Sequence, residues 1–169
     1  MPETTLSSSR RLLILWLVIA LLVVVADHAS KWLILHHFTE NEAKTILPFF
    51  KLVLVYNPGA AFSFLASQPG WQRWFFILLS SGVSLILIRI LAHHAQQRLV
   101  CVALSLVLGG AIGNLIDRIV HGAVVDFLYF HIGRYAWPAF NIADSAITTG
   151  AVLLIISQLF HTKPPHPQT

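Results

Sequence analysis

The chain has 169 residues, of which 56% are hydrophobic and only 11% charged, and its mean hydropathy is +0.73. These values exclude an ordinary soluble globular protein and indicate a polytopic membrane protein. Basic residues exceed acidic ones by 11 − 7 = 4 and the pI is near 9.6, which suits anionic lipid headgroups. The basic residues form no block, which argues against nucleic acid.

Residues 1–9 are polar and Ser/Thr-rich, and disorder is expected there. Arg10 and Arg11 before an apolar run closing on Val24-Val25-Ala26 have the outline of a signal peptide, but the helical pattern resumes through Trp32 to Leu35. The segment is therefore read as a retained first span, about 12–35. Its charge-free portion, Leu12 to Ala26, covers about 22 Å as helix, less than a ~30 Å hydrocarbon core, so Asp27 is expected at or just inside one interface. Residues 36–70 lean polar. Within them Phe50 to Tyr56 is β-branched and apolar, Asn57-Pro58-Gly59 marks a turn, and Ala60 to Phe64 continues as small and apolar residues. That pattern predicts a small β-hairpin outside the membrane, lying on the bilayer or covering a site.

Span two is expected at about 71–91 and span three at 99–118, joined by a short loop carrying His93, His94 and Arg98. Cys101 lies in an apolar run without a second cysteine or a basic neighbourhood, and reads as a packing residue. The connection from Arg118 to Pro138 should be irregular or extended, and span four runs at about 141–160. Four spans put both termini on one side. Positive residues divide almost evenly between the two sides, so the positive-inside rule leans only weakly toward termini inside. Trp32, Trp71, Trp74 and Trp137 fall at one face, half of an aromatic belt. Without repeats or linkers, residues 1–169 read as a single polytopic domain.

Asn141-Ile142-Ala143-Asp144 opens span four with an N-cap residue followed three positions later by an acid, where helix dipole and free N–H groups favour a carboxylate. By itself this is an ordinary helix start. Asp126 changes the weighting. It stands between Val124-Val125 and Phe127-Leu128, an apolar setting that raises a carboxyl pKa, and has no adjacent cation. Such an acid needs a distant partner, and Asp144 is a candidate. Two facing carboxylates hold one proton between them, so one can take a proton from water while the other polarises a scissile carbonyl. That chemistry needs no metal or cofactor, and the nine histidines form no zinc-binding spacing.

Gly110, Asn114 and Arg118 recur at i, i+4, i+8 and share one helix face, with Asp117 beside them. The glycines fit a packing face, Gly109 to Gly113, equally well. Asn114 is expected to bond to the site, because a buried amide is costly unless paired. Asp27 and Lys31 form an i, i+4 helix pair that neutralises itself at the membrane boundary. Ser30 beside Lys31 is not expected to form a Ser-Lys dyad, since adjacent helical residues point apart.

Taken together, Asp27 to Lys31 as D-x-x-S-K, Asn57-Pro58-Gly59-Ala60-Ala61-Phe62-Ser63, Gly109-Gly110 with Asn114-Leu115-Ile116-Asp117-Arg118, Val124-Val125-Asp126-Phe127 and Phe140-Asn141-Ile142-Ala143-Asp144-Ser145 resemble the lipoprotein signal peptidases, or signal peptidases II. These are bacterial intramembrane aspartyl proteases. Five blocks in order cover nearly the whole chain. The resemblance implies a catalytic dyad of Asp126 and Asp144, supported by Asp27, Asn57, Gly59, Gly110, Asn114, Arg118, Asn141 and Ala143. It implies an α-helical membrane fold of four transmembrane helices, an extracytoplasmic β-cradle and a short surface helix. The implied substrate is a diacylglyceryl-modified prolipoprotein, cut just before the lipidated cysteine. The expected setting is the bacterial cytoplasmic (inner) membrane, with the active site toward the extracytoplasmic face, membrane lipids as partners and a monomeric chain.

Two other classes compete. A small ion or proton conductor would use Asp27, Asp126 and Asp144 as a relay. An assembly factor would use the glycine face and the hairpin to hold partner helices. Neither explains why two acids flank the same loop.

Overall fold

A computed structural model of the chain describes residues 3–59 and 69–161. The elements in chain order are α1 (Glu3–His37), β1 (Ala43–Leu47), β2 (Phe50–Asn57), α2 (Trp71–His93), α3 (Arg98–Val120), β3 (Val124–Ile132), β4 (Tyr135–Ala136) and α4 (Ile142–His161). All four helices are long and apolar enough to cross a membrane. They occur where the sequence places the spans, each running at least one residue past its expected end, and α1 furthest of all. No Pro or Gly interrupts residues 3–9, so α1 propagates through the stretch expected to be disordered, each added residue gaining a backbone hydrogen bond. Helix α3 continues two residues past the expected end, to Val120.

Helix α3 lies at the centre and packs against the other three helices. The outward side chains of α1, such as Ile14, Leu21 and Leu22, remain exposed and face the position of lipid. Lipid tails are as apolar as leucine, so burial of apolar surface does little to join such helices; close approach of backbones does. Small residues supply it. A Cβ added at Gly109 would lie 2.6 Å from the Ala20 carbonyl oxygen of α1, and one at Gly150 would lie 2.5 Å from the Ala103 carbonyl oxygen. At Gly110 an added Cβ would overlap the Ala143 carbonyl and Ile147 of α4. Away from the sheet, Trp16, Leu87, Leu91, Cys101, Leu104 and Leu108 form a core. Trp16 Nε1 donates there to the Ala95 carbonyl at 2.9 Å. The Cys101 thiol donates to the His94 carbonyl at 3.1 Å, in keeping with a packing role.

The strands form one antiparallel sheet in the order β1-β2-β3-β4. This corrects the expected hairpin. Strand β2 turns back at Pro48-Phe49 onto β1, which precedes it, and its other edge pairs with β3. The proposed second arm, Ala60 to Phe64, lies outside the described residues. So does most of the link between Gly59 and α2, and no short surface helix occurs among the described residues. The connection expected to be irregular or extended from Arg118 to Pro138 begins with the end of α3 and then contains β3, a long strand. A second cluster of Ile34, Leu54, Val125 and Phe127 seats the sheet on the C-terminal end of α1. At the same end Arg73 of α2 caps α3, donating from Nε to the Arg118 carbonyl at 2.9 Å and from Nη2 to the Ile119 carbonyl at 3.0 Å. Trp32, Trp71, Trp74 and Trp137 are all exposed.

Gly110→Ala should destabilise the protein by about 1–3 kcal/mol, because the added methyl meets backbone rather than a flexible side chain. The expected result is a lower thermal midpoint in detergent, whereas Gly82→Ala, with nothing within 4 Å of the added Cβ, leaves the midpoint unchanged or raises it.

Candidate active site

Polar side chains gather where the C-terminal ends of α1 and α3, the start of α4 and the paired strands β2 and β3 meet. Asp126 is placed by sheet register, since Val55 of β2 lies opposite it and Asn57 opposite Val124. Its side chain is almost fully buried. Each carboxyl oxygen has an amide donor: Asn141 Nδ2 reaches Oδ1 at 2.8 Å, and Asn57 Nδ2 reaches Oδ2 at 3.1 Å. Asn57 also accepts the Gly59 N–H at 3.1 Å, which shapes its turn.

Asp144 is placed by helix capping. Its N–H donates to Asn141 Oδ1 at 2.8 Å, and the Asn141 N–H returns a longer bond to Asp144 Oδ2 at 3.3 Å, a reciprocal N-terminal cap. The ordinary helix start and the site are thus one feature. Asn114 Nδ2 donates to Asp144 Oδ1 at 2.8 Å, and Asn114 Oδ1 lies 3.2 Å from Asn141 Nδ2. A continuous chain of hydrogen bonds therefore runs from Asp126 through Asn141 and Asn114 to Asp144. Burial, followed by the charge of Asp144, pushes the Asp126 carboxyl up to about 7, against opposing hydrogen bonds from Asn57 and Asn141 and the charge of Lys31.

Arg118 is buried with its guanidinium over the Phe76 ring at 4.8 Å. It donates from Nη2 to the Gly59 carbonyl at 2.8 Å and from Nη1 to the Asn114 carbonyl at 3.2 Å, joining α3 to the turn after β2. Gly110 lets α3 approach Ala143. Asp27 Oδ1 accepts the Ala143 N–H at 2.9 Å. Every residue named by the sequence as dyad or support is thus in or against one cluster, drawn from α1, β2 and the turn after it, α3, β3, and α4 with the residue that caps it.

Sequence reasoning pairs Lys31 with Asp27 alone and places Asp117 beside the Asn114 face without a partner, yet both lie inside this cluster. Lys31 Nζ is 2.6 Å from Asp27 Oδ2 and 2.7 Å from Asp117 Oδ2, with all three residues buried. The signal available was charge in apolar surroundings near a membrane end. The pairing partner, 86 residues away by number, was not legible. Phe76 gave no signal at all. Ser30 Oγ donates to the Asp27 carbonyl at 2.8 Å, and Lys31 is taken up by carboxylates, so no Ser-Lys pair forms.

Residues 19–160 match the family described as signal peptidase (SPase) II. The chain belongs to this family. A lipoprotein signal peptidase of Cupriavidus taiwanensis is 56% identical over 146 residues, covering 86% of this chain and 83% of its own length. One from Janthinobacterium sp. is 54% identical over 152 residues, 90% of this chain and 92% of its own, and one from Burkholderia mallei is 50% identical over 159 residues, 94% and 96%. A solved structure described as a bacterial membrane enzyme, determined by the in meso method at 2.3 Å resolution, aligns with a TM-score of 0.80 at 32% identity, covering 91% of this chain and 93% of that one. Family membership makes the protein a peptidase, and four membrane-length helices make it a multi-pass membrane protein.

The raised Asp126 pKa has a consequence for stability. The folded state holds its proton more tightly than the unfolded chain between 3.8 and about 7, so this residue's contribution is fullest below 3.8 and is lost as pH rises through about 7. Thermal unfolding in detergent from pH 4.5 to 8 should show stability falling across that window, and Asp126→Asn should flatten the fall.

Proposed function

We propose that the protein is an endopeptidase that removes signal peptides from diacylglyceryl-modified prolipoproteins, cutting just before the lipidated cysteine with water activated between Asp126 and Asp144. The observation that carries this reading is the hydrogen-bonded chain that joins the two acids at the sheet end of four membrane-length helices. It suits a bond presented at the membrane surface, with the substrate's acyl chains still in the hydrocarbon layer.

The active form carries one proton on the pair, held by Asp126, whose carboxyl is pushed up to about 7 by burial and the charge of Asp144, so that form fades as pH rises through about 7. Asp144 takes a proton from water as that water attacks the scissile carbonyl carbon, while Asp126 donates its proton to the carbonyl oxygen. Collapse of the tetrahedral intermediate returns that proton to Asp126 and breaks the C–N bond. The proton held by Asp144 leaves on the new amine of the cysteine. Asn57 and Asn141 orient Asp126, and Asn114 orients Asp144. Arg118 holds the Gly59 turn, Gly110 allows α4 to approach, and Asp27 holds the Ala143 amide. The chain functions as a monomer in the bacterial inner membrane. Its termini are in the cytoplasm, and the sheet and dyad are at the extracytoplasmic face in contact with lipid headgroups.

The test is cleavage of a diacylglyceryl-modified prolipoprotein by purified protein in detergent. Wild type should cut before the lipidated cysteine, with activity falling as pH rises through about 7. Asp126→Asn and Asp144→Asn should each lose at least about 10³-fold in kcat while folded and still binding substrate. Cleavage by either variant at the wild-type rate would refute the dyad.

A further inference from the structure

The two acids of the proposed dyad stand on different elements, Asp126 on β3 and Asp144 in the first turn of α4. In each case the backbone N–H of the residue just before the acid donates to a buried carboxylate. Val125 N–H donates to Asp117 Oδ2 at 3.0 Å, and Ala143 N–H donates to Asp27 Oδ1 at 2.9 Å. One ammonium joins the two carboxylates, with Lys31 Nζ 2.6 Å from Asp27 and 2.7 Å from Asp117. Its further contact is Asn114 Oδ1 at 3.4 Å, on the amide that donates to Asp144.

We propose that Lys31 is a positioning residue for the proteolytic reaction, the centre of a two-armed clamp in which Asp117 holds the backbone before Asp126 and Asp27 holds the backbone before Asp144. This rests on the proposed roles of those two acids. Lys31 is 2% exposed and its ammonium is enclosed by the two carboxylates and the amide, so it does not reach substrate. Its contribution is mechanical and electrostatic. Without the cation, Asp27 and Asp117 would be two buried like charges on neighbouring helices, and would separate or admit water. Either response moves the amides they hold, and with them the acids. Gly113 keeps room for the clamp, since a Cβ there would lie 2.8 Å from Asp27 Oδ2. The His28 ring borders it, 3.7 Å from Asp27 and 3.9 Å from Asp117, too far for a direct hydrogen bond to either carboxylate.

The deciding experiment compares wild type, Lys31→Met, Lys31→Arg and Asp126→Asn, each folded in detergent, by prolipoprotein cleavage and by amide hydrogen exchange of peptides containing Val125 and Ala143. Lys31→Met should lower kcat about 10²-fold with KM nearly unchanged, the effect of a small misplacement of reacting groups. Exchange should quicken at both peptides together, although they belong to different elements. The alkaline limb of its pH–rate profile should move upward, because Lys31 helps to hold the Asp126 carboxyl down against Asp144. The groups facing Asp126 and its partner acid, namely Asn57, Asn141, Asn114, Arg118, Asp27, Asp117 and His28, are unchanged in that variant. Lys31→Arg should recover part of the rate. Retention of kcat within about threefold, or a loss of rate with unchanged exchange at both peptides, would overturn the clamp while leaving the dyad in place. If Lys31→Met does not fold, Asp117→Asn takes its place: quickened exchange at the Val125 peptide supports the clamp, and unchanged exchange there overturns it. Absence of cleavage by wild type would instead overturn the peptidase chemistry on which the clamp rests.

Discussion

An ammonium and two carboxylates lose several kcal/mol of hydration each when they leave water, and near a membrane there is little water to return to. Lys31, Asp27 and Asp117 accept that cost only because the ammonium meets both carboxylates at hydrogen-bond distance and each carboxylate also accepts one backbone N–H. Much of the arrangement follows from this constraint. The charges fix how α1 sits against α3, and the leftover acceptors bind the start of α4 and the start of β3. Glycines at 109, 110 and 113 let the backbones come close enough for those bonds to form.

The helices and the sheet do different work. Helices can cross a bilayer because their backbone is internally satisfied, but they present side chains only along their own faces. Asp144 reaches the site from such a face. Asp126 comes from a strand, and a strand in this position must have its own N–H and C=O groups paired; β2 on one side, with the Phe140 bridge and β4 on the other, pairs them. The sheet thus allows an acid to be carried into an apolar setting without leaving orphaned backbone. Asparagines complete the site because an amide offers both a donor and an acceptor. Asn141 uses its amide group on Asp126, Asn114 and the Val125 carbonyl, and its oxygen on the Asp144 N–H.

The second chemistry supported by composition alone, an ion relay through Asp27, Asp126 and Asp144, fits this arrangement less well. Asp27 is tied to Lys31 and the Ala143 amide, so its charge is neutralised locally instead of being offered to a passing ion. An assembly factor held together by glycine faces is also a poorer fit, because Gly109, Gly110 and Gly150 are occupied by contacts within the chain.

The sequence by itself determined the four spans, because the length and apolarity of a membrane-crossing helix are local properties. It also determined the cap that places Asp144, since Asn141 and Asp144 lie within one helical turn, and the shared face of Gly110, Asn114 and Arg118. Short motifs in order were enough to indicate the family. Pairing partners distant in the chain were decided only by the tertiary structure. Strand β2 could have turned back after Asn57; it pairs instead with β1 before it and β3 far beyond it, because register depends on which faces are buried rather than on the strand's own residues. Likewise Lys31 looked complete with Asp27 one turn away. Its second carboxylate, Asp117, becomes visible only when α1 and α3 are packed together, because a buried charge is satisfied by whatever three-dimensional packing brings to it, and no local spacing records that.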